Sequence, residues 1–83
     1  MLGHVYNDVE ALNRLCREDY EQKRWYRVEG YANELNELLE TARQYRTEIK
    51  TTPVSLNAVS SEEEVLRNVL MKSTRLLQEI DEE

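Results

Sequence analysis

Phenylalanine is absent from this chain, and its 83 residues include one proline, one histidine, one cysteine and two glycines. Each scarcity excludes something. With Cys16 as the sole cysteine no intramolecular disulfide forms, and Cys16 with His4 falls short of the four-ligand set of a structural zinc site. One histidine and one cysteine, far apart on a single predicted helix, also leave no nucleophile and base in company. No catalytic residue, cofactor site or metal ligand is therefore assigned, and the chain is read as a non-enzyme. Few glycines and prolines mean few turns, so long helices are expected. No window approaches the roughly 18 uninterrupted apolar residues of a membrane span. The opening Met1-Leu2-Gly3-His4-Val5 lacks the basic and apolar regions of a signal peptide, so a cytoplasmic protein without membrane insertion is expected.

What is present is charge and a modest apolar fraction, 34% and 40% of residues, with a net charge of −6. That balance argues against general nucleic-acid affinity, which needs clustered cations to displace counterions from phosphates. The excess is uneven, for residues 51–83 hold seven acids against three bases. A chain this short buries only about 60% of its unfolded surface, so one domain with a thin core is expected.

The apolar spacing is helical throughout. Val28, Tyr31 and Ala32, Leu35, Leu38 and Leu39, Ala42, Tyr45 and Ile49 recur at three- and four-residue steps and predict one long amphipathic helix. With Asp19 as N-cap and Gln22 at the capping-box position, this helix is placed over about residues 20–50, its Arg43, Arg46 and Lys50 offsetting the negative dipole end. Val5, Val9, Leu12, Leu15 and Cys16 mark a shorter helix over about 5–18, with a break near Glu18-Asp19 and Cys16 as a small buried hydrophobe. Residues 51–60 lose their charge and contain Pro53, which reads as the loop. Ser60 or Ser61 before Glu62-Glu63-Glu64 is an N-cap with acids in the first turn, opening a third helix over about 61–80. Its stripe of Val65, Leu66, Val69, Leu70, Leu76, Leu77 and Ile80 thins at Lys72-Ser73-Thr74, and Asp81-Glu82-Glu83 is expected to fray. The fold class is all-α: an antiparallel helical hairpin or three-helix bundle with one long central helix.

Two local features invite a function. Tyr20 to Arg27 interleaves three cations with three aromatics, as single-strand nucleic-acid platforms do, although Glu18, Asp19, Glu21 and Glu29 flank it and Trp25 with arginine also marks protein interfaces. Gly30, inside the predicted long helix, costs about 1 kcal/mol relative to alanine and reads either as a close helix contact or as a neutral exposed position. Glu34, Glu37 and Glu48 read as solvated surface. The larger hint is a surplus of apolar stripe over intramolecular cover, which a captured helix or a second copy would hide. The residues placed at that partner surface are Trp25, Tyr31, Leu38, Tyr45, Leu66, Val69, Leu70, Leu76 and Leu77.

The order of features resembles the FliT-type flagellar export chaperones, and more loosely FlgN and other small type III secretion chaperones. An amphipathic first helix and an acidic turn precede Lys23-Arg24-Trp25-Tyr26-Arg27-Val28, similar to the family's acids followed by tryptophan and an apolar residue three positions on. Glu62 to Leu70 with Leu76-Leu77-Gln78-Glu79-Ile80 looks like its next helix, and the likeness spans about residues 5–83. The resemblance implies a cytoplasmic chaperone that holds the helical end of a flagellar or secreted client. The family's further masking helix has no counterpart before Glu83, so self-masking is not carried over, and no family binding residue transfers to a numbered position. Rival readings are a self-assembling structural protein, such as a homodimer or a protein of phage or prophage type, a regulator that blocks a transcription factor, and an RNA-binding hairpin using Lys23, Arg24 and Arg27.

Overall fold

Val5, Val9, Leu12 and Cys16 recur at helical spacing and turn inward together, which makes α1, Leu2–Glu21, the first wall of the core in the computed structural model. A 3₁₀ turn at Trp25–Arg27 leads into α2, Val28–Tyr45, and α3 follows at Glu62–Asp81. The structure describes residues 2–56 and 61–81. Ser60 as an alternative cap, and the end of the chain at Glu82-Glu83, lie outside those residues. Ser61 caps α3, its Oγ accepting the Glu64 amide at 3.2 Å, with Glu62, Glu63 and Glu64 in the first turn as expected.

The three-helix, all-α class is present, but the predicted long central helix is not. Residues 20–50 divide between the end of α1, the 3₁₀ turn, α2 and an extended segment, and α2 is the shortest of the three α-helices at 18 residues. The cause lies at the end of α1. Lys23 adopts φ 59°, its amide donates to the Tyr20 carbonyl at 3.1 Å, and the Arg24 amide reaches back to the Asp19 carbonyl at 2.7 Å. This is a Schellman closure with lysine where glycine is usual. The apolar contact that commonly accompanies that motif is replaced by an ion pair between the same two residues, Arg24 Nε to Asp19 Oδ1 at 2.9 Å. Asp19 is therefore not an N-cap. It is buried in the last turns of α1, where Tyr31 of α2 also donates its hydroxyl to the carboxylate, at 2.5 Å.

Direction follows from which residues meet. Asn13 of α1 bonds to Ser73 of α3, and Tyr20 near the end of α1 meets Arg67 near the start of α3, so these two helices are antiparallel. The hairpin through Asp19 and Tyr31 makes α1 and α2 antiparallel as well. Arg46, just past α2, meets the carbonyls at the far end of α3, so α2 and α3 run parallel. That departs from an antiparallel expectation throughout, and residues 46–56 turn back along the bundle.

The return segment is held by side chains. Asn36 of α2 clasps Val54 in both directions, its Oδ1 accepting the amide at 2.8 Å and its Nδ2 donating to the carbonyl at 2.9 Å. Arg43 donates to the Thr51 carbonyl at 2.6 Å, and Lys72 of α3 donates to the Pro53 carbonyl at 2.8 Å. Ile49, Thr51 and Val54 are buried, so the segment closes the seam between two parallel helices. Arg43 alone of the three cations assigned to the end of the long helix lies in α2's last turn. Arg46 instead serves α3, donating to the Glu79 carbonyl at 2.8 Å and so satisfying a group that a helix end leaves free.

Cys16 is fully buried, as expected of a small hydrophobe, and burial together with the charges of Asp19 and Glu34 pushes its thiol up to about 12. Gly30 is exposed and a Cβ there would meet nothing within 4 Å, which removes the close-contact reading. The thin patch at Ser73-Thr74 is filled rather than empty. Asn13 Nδ2 lies 2.7 Å from Ser73 Oγ, 2.9 Å from Thr74 Oγ1 and 3.3 Å from the Leu70 carbonyl, while Asn13 Oδ1 accepts from Arg17 at 3.0 Å.

Candidate functional site

With α2 shortened and its seam with α3 closed, the partner residues placed from sequence scatter. Leu66, Val69 and Leu76 are fully buried core, and Tyr31 is buried with its hydroxyl committed to Asp19, so these four present no free surface. Burial pushes the Tyr31 phenol up to about 12, and the bond to the Asp19 carboxylate adds to it. Trp25 is half-buried, packed edge-on against Tyr20 with centroids 5.6 Å apart. Leu38, Leu70 and Leu77 are half-buried against the core, and Tyr45 is exposed. The groove expected from Tyr31, Leu38 and Tyr45 facing α3 is not formed, because Ile49 and Val54 occupy the α2–α3 seam.

A different surface remains open. An open depression of about 1030 Å³ runs along α3 between Leu70 and Glu79, lined on α1 by Arg17 and on the return segment by Arg46 and Glu48 to Lys50. Its apolar part is Leu70, half-buried, next to Met71, which is 62% exposed and is among the largest hydrophobic exposures in the described residues. Its charged part is four cations, Arg17, Arg46, Lys50 and Arg75, against two carboxylates, Glu48 and Glu79.

The return segment positions one rim. Glu79 Oε2 accepts the amides of Lys50 at 2.9 Å and Thr51 at 3.3 Å, and its Oε1 accepts from Arg75 at 3.2 Å. Burial alone would raise this carboxyl; the hydrogen bonds from Thr51, Arg75 and Lys50 outweigh it and hold it below the usual carboxylate range. Arg46 pairs with Glu48 at 3.0 Å. Neither the Arg17 guanidinium nor the Lys50 ammonium has a carboxylate within 4 Å among the described residues.

Of the residues placed at the partner surface from sequence, only Leu70 lines this depression. Sequence reading missed Arg17, Met71 and the 46–50 rim. Met71 falls outside the inward stripe of α3, and an isolated methionine there carries no periodic signal. The rim depends on the return path of the chain, which no spacing encodes. Among the described residues no group of three or more histidine, cysteine or acidic side chains is placed to hold a metal, and no helix is long and apolar enough to cross a membrane. The Trp25 turn presents Tyr26 to solvent with Arg27 over its ring at 5.6 Å, but Arg24 is paired with Asp19 and Glu18. No protein family, curated protein or solved structure matches this chain.

Proposed function

We propose that the chain works by binding another protein and, in the specific form that its sequence resemblance implies, that it is a chaperone capturing an amphipathic helix of a flagellar or type III secretion client. The observation that carries the protein-binding reading is Met71, largely exposed beside half-buried Leu70 in the lining of a charged depression. A flexible thioether on an open surface adapts to apolar side chains of varied shape, which suits helix capture. The core no longer supports it in the way the stripe did, since the apolar face of α2 is covered from within. The client reading therefore moves to the outer face of α3.

The experiment is a titration of isotope-labelled protein with the helical terminal segments of flagellar cap and hook-associated subunits encoded in the same genome, alongside light scattering of the free protein. Saturable amide shifts between Leu70 and Glu79, with a free mass near 9.9 kDa, are the expected result. A free protein of twice that mass whose association is lost in Met71→Ser assigns the face to self-assembly instead. A monomer with no shift for any segment overturns the chaperone form.

A further inference from the structure

We infer that the depression along α3 takes an acidic segment of a partner protein, one that sets an apolar side chain on Leu70 and Met71 and carboxylates toward Arg17 and Lys50. The inference rests on the protein-binding reading and adds the chemistry of the partner. Its ground is where the cations are. The lining has four cations and two carboxylates, a balance of +2 in a chain of net charge −6, so the rest of the molecule carries −8. A positive surface on so acidic a protein is a local feature, not a reflection of composition.

The cations also differ in what they already do. Arg46 and Arg75 are engaged with Glu48 and Glu79, whereas the Arg17 guanidinium and the Lys50 ammonium have no carboxylate partner within 4 Å among the described residues. Arg17 spends one N–H on Asn13, beside Leu70, and keeps the rest of its donor fork. Lys50 is fixed through its backbone amide to Glu79, and its side chain is exposed. Leu70 and Glu79, which mark these two places along α3, are nine residues apart, a rise of about 13 Å at 1.5 Å per residue. A helical partner with two carboxylates two to three turns apart and a leucine between them brackets that span.

The same arithmetic disfavours a nucleic-acid strand. A strand long enough to use the cations extends beyond the depression into the surrounding excess of −8, whereas a short acidic peptide places its charge inside the positive region and ends there.

The test uses three probes against the full chain: a fluorescein-labelled helical peptide with one leucine face and two glutamates two turns apart, the same peptide with both glutamates changed to glutamine, and a single-stranded oligonucleotide of equal length. The acidic peptide is expected to bind at least fivefold more tightly than the glutamine peptide at low salt, with the difference shrinking as salt rises. Lys50→Gln and Arg17→Gln together are expected to remove that preference, and peptide-induced amide shifts should fall between Leu70 and Glu79. Lys50→Gln alone, at a side chain without an ion-pair partner, leaves folding intact and should by itself reduce the preference by twofold or more. If both peptides bind equally and Met71→Ser weakens both, the protein-binding reading stands and the acidic partner is wrong. Should neither peptide bind, or should the oligonucleotide bind more tightly than the acidic peptide, the inference is overturned.

Discussion

Asn13→Ala removes the side chain that, among the described residues, joins α1 to α3 by hydrogen bonds in mid-bundle, and its cost follows from the contacts. The amide nitrogen has two hydrogens for three acceptors, so the bonds at 2.7 and 2.9 Å, to Ser73 and Thr74, carry the interaction and the 3.3 Å approach to the Leu70 carbonyl adds little. Each such bond contributes about 0.5–1.5 kcal/mol net. No buried donor is stranded by the change, because Ser73 and Thr74 both keep donating to the Leu70 carbonyl at 2.9 Å and the exposed Arg17 returns to water. A small cavity is left behind, which brings the expected loss to about 2–3 kcal/mol. At about 4–8 °C per kcal/mol for a domain of this size, Tm should fall by roughly 8–24 °C. Urea unfolding followed by circular dichroism measures it, with an unchanged denaturant slope as the sign that the fold is the same. Ser73→Ala, made alone and with Asn13→Ala, should show a coupling of about 0.5–3 kcal/mol, as for residues in contact. Asn13→Leu should cost less than alanine because it refills the volume. A loss under about 0.5 kcal/mol for Asn13→Ala, or no coupling to Ser73, refutes the placement of this asparagine against α3.

Lys23→Gly should stabilise the protein by up to about 1 kcal/mol, since lysine holds a left-handed conformation that glycine adopts freely; destabilisation in chemical unfolding would mean that the turn is closed differently. Gly30→Ala should also stabilise, by about 0.5–1 kcal/mol, because φ is not positive and the new methyl meets open space; a Tm below that of the parent would mean that something packs on Gly30. At alkaline pH, Cys16 and Tyr31 have folded values near 12 against ordinary values of 9.0 and 10.0, so the stability they confer is complete below pH 9 and is lost as pH rises from there toward 12. Unfolding free energy that stays flat to pH 11 would contradict the burial of both groups. At the acid end Glu79 is lowered, so its contribution is present above its ordinary value of 4.5 and is lost as pH falls through the folded value; Glu79→Gln should flatten that limb of the stability profile.

The helical class, the inward faces of α1 and α3, the buried Cys16 and the Ser61 cap were all legible, because each is set by local spacing and local capping chemistry. The break between α1 and α2 falls later than Glu18-Asp19 for a definite reason. A Schellman closure is normally marked by glycine, and here the position holds Lys23, so the end of α1 carries no sequence flag, while Asp19 four residues earlier looks like the start of a helix. The polar bridge between Asn13 and Ser73 leaves a trace on both helices. Ser73 interrupts the stripe of α3 and Asn13 stands beside Leu12 on the inward face of α1, and polar residues on two inward faces need one another when buried. Parallel packing of α2 and α3 was beyond reach of periodicity, because it depends on a return segment whose partners are side chains distant in sequence. The loss of charge from Thr51 onward was its one signal.

That return segment connects the fold to the proposed binding face. Over residues 46–56 it adopts no strand and borrows no ladder; Asn36, Arg43, Lys72 and Glu79 substitute for one, and each grips backbone atoms, not side chains. Its sequence is therefore constrained at the inward Ile49, Thr51 and Val54 and freer between them, where Lys50 faces out. A rim built in this way is ordered only while the grips hold, and those nearest Lys50 are the two amide bonds to Glu79. A ligand that binds the ordered rim better than the released one stabilises the order by that difference, and the reverse holds equally: loosening Glu79 weakens the ligand by the same factor. On the proposed reading, binding at the depression and attachment of the return segment are in this sense one equilibrium. Glu79 governs it from beneath by hydrogen bonds to the backbone, without itself being the group that a carboxylate-bearing partner would contact.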